Sequence, residues 1–216
     1  PVTPVTPVAP VAPVVTEAPT TTTTVSSTPA TVTDVRLPDT IMPVHYDVEL
    51  TPMFFADDPK DFTFSGKTTL IVECKNSTST ISVHAKDIVI NQTAIRFEGE
   101  VPRRNDPRFL NMEIDDKREF INLHLSKDLT VGQRYKIFLS YSAKLKSDLH
   151  GLYYSKYSRG NDTVYMVTTQ FQATDARRAF PCFDEPALKA TFNITLVRPE
   201  HLISISNMPI IDNSTT

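Results

Sequence analysis

Tyr135-Lys136-Ile137-Phe138-Leu139-Ser140-Tyr141-Ser142-Ala143 is the stretch that decides the fold class. Tyr135, Ile137, Leu139, Tyr141 and Ala143 recur at every second residue, and a period of two lines one face of an extended strand. Tyr46, Val48 and Leu50 alternate in the same way with His45, Asp47 and Glu49. So do Ile121, Leu123 and Leu125 with Asn122 and His124, and so do Phe192, Ile194 and Leu196. Residues 62–74, 80–85, 88–97 and 202–206 are further candidate strands, with polar turns at Asp57-Asp58-Pro59, Asn105-Asp106-Pro107 and Arg159-Gly160-Asn161-Asp162. Strands with one apolar and one polar face belong in antiparallel sheets that are packed on one side and wet on the other. The expected fold is therefore all-β, an antiparallel sandwich or saddle over residues 35–216. Residues 174–190 are the exception. There Ala, Arg and Leu replace β-branched residues, so one or two short helical turns are expected, with Asp184 capping a start at Glu185-Pro186.

Residues 1–34 obey different physics. Pro-Val-Thr and Pro-Val-Ala repeat every three residues, which matches the three-residue turn of polyproline II. The segment has no Lys, Arg or aromatic residue and little to bury, so it is expected to be a disordered Ser/Thr/Pro-rich stalk or linker. Dense hydroxyls at Thr20–Thr24 and Ser26-Ser27-Thr28 favour an O-glycosylated stalk. Over the whole chain, 22 Lys and Arg stand against 25 Asp and Glu, for a net charge of -3. The two signs are interspersed, which argues against a nucleic-acid partner. Cys74 and Cys182 are compatible with one bridge or with two free buried thiols, and the latter is favoured. No apolar run approaches the roughly 20 residues of a membrane span. The chain begins with Pro rather than Met, so an anchoring or targeting segment is expected upstream.

Five Asn-X-Ser/Thr sequons, at Asn76, Asn91, Asn161, Asn193 and Asn213, point to an extracellular glycoprotein. Alternation sets Asn193 opposite Phe192, Ile194 and Leu196, and Asn161 falls in a turn. Catalytic constellations are not visible. The histidines at 45, 84, 124, 150 and 201 lack metal-ligand spacing, and neither a Gly-X-Ser-X-Gly elbow nor a Gly-rich phosphate loop occurs. Asp184 and Glu185 are adjacent, so their side chains would diverge on a helix and make a poor acid/base pair.

The block from Thr169-Gln170-Phe171-Gln172 through Ala176-Arg177 and Phe180-Pro181-Cys182-Phe183-Asp184-Glu185-Pro186 to Lys189-Ala190 resembles a motif of the M1 zinc aminopeptidases. Shorter pieces fall in the family's order: Leu37-Pro38 to His45-Tyr46, Phe64-Ser65-Gly66, a turn at Gly151-Leu152-Tyr153-Tyr154-Ser155, and Ser206-Asn207-Met208-Pro209. The resemblance runs from about Leu37 to the end of the chain and implies the β-saddle that flanks a thermolysin-like zinc domain. It implies that Gln172 binds the free α-amino group of a peptide substrate. Gln170, two positions earlier on the same strand face, would line the pocket for the first side chain. Arg177, Asp184 and Glu185 are expected to form an ion-paired turn that holds the strand end. The family's exopeptidase loop, its zinc helix and its transition-state Tyr have no counterpart in these residues. Zn²⁺ and the catalytic groups are accordingly expected in a downstream domain, and this segment alone is expected to be inactive. The implied parent removes N-terminal amino acids from peptides. It is expected on the extracellular face of the plasma membrane as a type II ectodomain, or secreted, with a homodimer left open. The alternative is a non-catalytic extracellular binding or adhesion glycoprotein with the same β-domain.

Overall fold

A computed structural model describes residues 34–213. The stalk expected over 1–34 therefore lies, save its last residue, outside the described residues. The strands are β1 (Ile41–Met53), β2 (Thr63–Cys74), β3 (Thr80–His84), β4 (Val89–Ile90), β5 (Arg96–Gly99), β6 (Phe109–Asp115), β7 (Phe120–Leu125), β8 (Arg134–Lys144), β9 (Gly151–Arg159), β10 (Asp162–Gln170) and β11 (Thr191–Leu196). The largest sheet runs β11-β1-β2-β8-β4, with β5 also on β8. A second sheet is β3-β7-β6, and β9 and β10 form a separate hairpin. The all-β expectation holds.

The core follows from the alternation. Tyr46, Val48 and Leu50 of β1, Phe64, Leu70 and Val72 of β2, and Tyr135, Ile137, Leu139 and Tyr141 of β8 form one buried cluster with Ile81 and Val83 of β3 and Ile121, Leu123 and Leu125 of β7. Burial of each such aliphatic or aromatic side chain contributes about 1.5–3 kcal/mol. At the crossing of β2 and β8, Gly66 pairs with Tyr141, and Tyr141 Oη lies 2.9 Å from Thr68 Oγ1 in a buried hydrogen bond. A Cβ at Gly66 would lie 2.4 Å from Cε2 and Cζ of Tyr141. Gly66→Ala should therefore overpack the core and cost about 1–3 kcal/mol. Denaturant midpoints of the two chains check this, and an unchanged midpoint would show that Tyr141 moves aside freely.

The sheet departs from the expectation in four places. First, β11 joins β1 in parallel, with Tyr46 opposite Phe192 and Val48 opposite Ile194. Phe192 does point to the core side, where it stacks on Tyr46 at 4.6 Å. Yet Phe192 and Ile194 remain 49% and 43% exposed, because β11 is an edge strand and cover ends there. Second, the strand expected over 88–97 is split into β4 and β5 by a 3-10 turn, Gln92–Ala94. The Thr93 hydroxyl donates to Asn91 Oδ1 at 2.8 Å, a local bond that competes with the ladder. Third, residues 202–206 form no strand. The Arg198 guanidinium donates to Pro199 O, Glu200 O and Ser204 Oγ and curls the chain, leaving Ile203 and Ile205 89% and 86% exposed. Fourth, Gly151 to Ser155 is not a turn but the start of β9. Cys74 and Cys182 are both free and buried.

Candidate functional site

The candidate site begins where β10 leaves its hairpin. Thr168, Thr169 and Gln170 pair with Tyr153, Leu152 and Gly151 of β9, and Gln170 is the last strand residue. Phe171 then turns toward the core and meets the edge of Phe180 at 5.9 Å. Asp175 N–H donates to Phe171 O at 2.9 Å and closes a turn that holds Gln172. The expectation of a single strand through Gln172 is thus corrected. Anchoring of Phe171 and closure of the turn take the chain out of the ladder before that residue. Gln170 and Gln172 nevertheless stay together: both are exposed, and Gln170 Nε2 donates to Gln172 O at 3.4 Å. Among the described residues the Gln172 carboxamide itself has no hydrogen-bond partner.

The support beneath this edge is an ion-pair network. A single 3-10 turn, Ala176–Arg178, follows the Gln172 turn and places Arg177 inward. The Arg177 side chain is 9% exposed, with Nε donating to Asp184 Oδ2 at 2.9 Å and Nη1 to Glu119 Oε2 at 3.0 Å. Glu119 also accepts from the Lys86 ammonium. Burial pushes the Glu119 carboxyl up, but Lys86 and Arg177 outweigh it and hold the group below the usual carboxylate range. Lys86 N–H donates to Arg177 O at 3.0 Å. Arg177 and Asp184 therefore form the expected ion pair, while the helix expected at Asp184 is absent. Only a tight turn follows, Leu188 N–H donating to Glu185 O at 3.0 Å. Glu185 points away from Asp184 and accepts from Leu37 N–H at 2.6 Å and from Arg36 at 3.4 Å. These bonds oppose the helix, because the Asp184 carboxylate is taken by Arg177 and the Glu185 carboxylate by Arg36 and Leu37, which leaves neither to cap it.

His84 locks the same segment from below. Its backbone exchanges hydrogen bonds with Cys182 at 2.8 and 3.0 Å, and its Nδ1 accepts from Asp184 N–H at 3.2 Å. That bond requires an unprotonated Nδ1. Burial, reinforced by the Arg177 charge, drives the His84 pKa down to about 4. Tyr46 Oη accepts from Phe183 N–H at 3.0 Å, and burial raises the Tyr46 phenol well above its ordinary value. Burial likewise raises the Cys182 thiol, which leaves it unreactive. Glu119, Lys86 and His84 were not singled out from sequence, and no local signal marks them. They reach Arg177 and Asp184 across 58 to 100 residues of chain.

No group of three or more His, Cys, Asp or Glu side chains gathers around a common point among the described residues, so these residues do not fit a zinc ion. His45 contacts Thr191 and Asp47, His124 contacts Thr80 and Glu113, and His150 contacts Asp175. The five sequon asparagines are all exposed. Asn161 occupies the two-residue tip between β9 and β10, beside Gly160 at φ +65°. Asn193 donates to Asp47 Oδ1 at 2.9 Å on the polar face of β11.

The sequence of this chain is similar to those of known proteins. The model of the peptidase M1 N-terminal domain matches residues 42–216. Canine aminopeptidase N is 39% identical over 177 residues, 80% of this chain and 18% of the relative. Human aminopeptidase N is 38% identical over 177 residues, with the same coverage of 80% and 18%. Rat endoplasmic reticulum aminopeptidase 1 is 34% identical over 183 residues, 84% of this chain and 19% of the relative. The chain spans about a fifth of the length of these curated relatives. The alternating core, the Gln170–Ala190 block and these matches lead to one conclusion: this chain belongs to the M1 peptidase family and carries its N-terminal domain.

Proposed function

We propose that this domain supplies the amino-end grip of a zinc aminopeptidase that removes N-terminal residues from peptides. The observation that carries the reading is the Gln172 carboxamide. It is exposed and without a partner among the described residues, on a turn fastened to a buried ion-pair network. A carboxamide oxygen accepts from an ammonium N–H, and such a charge-assisted bond is worth roughly 1.5–3 kcal/mol. Recognition of the free amine, rather than of a side chain, restricts cleavage to one residue at a time. Gln170 lies on the same edge, where it would face the first side chain of the peptide.

Zinc and the water-activating groups belong, in this reading, to a downstream thermolysin-like domain. The domain would pack against that partner. The five exposed sequons support a glycosylated ectodomain at the extracellular face of the plasma membrane, or a secreted form, with a membrane anchor upstream. Gln172→Ala in the full-length protein should lower kcat/KM for free-amine aminoacyl-anilides about tenfold or more. Unchanged kinetics would return Gln172 to a structural role.

A further inference from the structure

The turn that carries Gln172 is fastened at its exit by one carboxylate, that of Asp175. Its entry is fixed by the ladder, which ends with Gln170 opposite Gly151. Between the entry and Asp175, the residues Gln172, Ala173 and Thr174 are exposed. Their placement therefore depends on how the exit is held. The Asp175 side chain is 15% exposed, with Oδ2 3.0 Å from His150 Nδ1 and Oδ1 3.0 Å from Arg178 Nε. His150 directly precedes Gly151, so this contact ties the exit of the turn to the strand that holds its entry. Arg178 is itself steadied by Asp87 at 3.3 Å and Asp148 at 3.4 Å. The packing here is close: a Cβ on Gly151 would lie 2.5 Å from Arg178 Cβ.

We propose that His150 and Asp175 are positioning residues for amine recognition, their contact setting the direction of the Gln172 carboxamide. This rests on the reading of Gln172 given above. A hydrogen bond to the substrate ammonium weakens steeply with misalignment, so a loosened exit lowers affinity without removing any group that touches the substrate. The His150 side chain is 52% exposed, so its pair with Asp175 adds little to stability. Loss of the contact should appear in substrate binding rather than in unfolding.

The test uses the full-length protein and aminoacyl-anilide hydrolysis, with His150→Leu, His150→Asn, Gln172→Ala and the double variant His150→Leu/Gln172→Ala. His150→Leu should raise KM about fivefold, with kcat within about twofold of the parent and Tm unchanged. His150→Asn, which keeps a donor near the Nδ1 position, should restore KM to within about twofold. In the Gln172→Ala background, His150→Leu should have no further effect, as expected of a residue that acts through Gln172. An unchanged KM in His150→Leu, or an equal rise in the Gln172→Ala background, would overturn the positioning role. If His150→Leu does not accumulate, Asp175→Asn is read in the same cycle. Inert Gln172→Ala kinetics remove the amine-binding reading and the positioning role together. A weakened Gln172→Ala beside an inert His150→Leu removes only the positioning role.

Discussion

Arg177→Met should destabilise the domain by about 3–5 kcal/mol, because it leaves carboxylates without their shared cation in a largely buried setting. The Asp184 and Glu119 side chains are 13% and 27% exposed, so water recovers only part of what the guanidinium provides. At about 2–4 °C per kcal/mol for a domain of this size, Tm should fall by roughly 6–20 °C. Arg177→Lys should recover less than half of the loss. One ammonium cannot reach Asp184 through Nε and Glu119 through Nη1 at once, as the guanidinium fork does. Thermal and denaturant unfolding of the two variants check this. A shift of under about 2 °C for Arg177→Met would mean that the carboxylates find other partners.

The second large effect is a loss of stability in mild acid. His84 is neutral and buried when folded, with its pKa lowered to about 4 from an ordinary 6.5. Between those values the unfolded chain binds more protons than the folded one, so stability falls as pH falls. The His84 contribution is complete above about pH 6.5, is lost progressively toward pH 4 and levels off below it. The shift corresponds to on the order of 3 kcal/mol. The carboxyls of Glu119 and Asp87 are held below their ordinary values, so their contributions fade only as pH falls through a lower range. His84→Asn keeps an acceptor near the Nδ1 position but does not titrate between pH 6.5 and 4.5. Its stability should be flat across that window, where the parent's falls. Parallel pH profiles for the two proteins would assign the acid sensitivity elsewhere.

Much of the architecture is legible in the sequence because β1, β2, β7 and β8 each have one buried face, so a period of two appears as Tyr46-Val48-Leu50 or Tyr135-Ile137-Leu139-Tyr141. Strands without a continuous dry face carry no clean period of two. β6 exposes Leu110 and Ile114 and carries a bulge between Phe109 and Asn111, and the β9–β10 hairpin mixes Lys156, Ser158 and Arg159 with tyrosines. Ile203 to Ser206 alternate too yet form no strand, since alternation specifies a face and says nothing of a neighbouring strand. At the candidate site, the surrounding motif marks Gln170 and Gln172, and the Arg177–Asp184 pair lies within seven residues. The turn that lifts Gln172 out of β10, and the supports from Lys86, Glu119 and His84, depend on long-range packing that no local spacing encodes.

In the proposed function Gln172 receives the substrate's amino group. A crystal structure of the full-length protein with a bound peptide analogue bearing a free α-amine tests it most directly. The ammonium nitrogen should lie about 2.7–3.2 Å from Gln172 Oε1, with the carboxamide oriented as an acceptor. An ammonium held by other groups, with Gln172 Oε1 beyond about 4 Å and no bridging water, would contradict the claim.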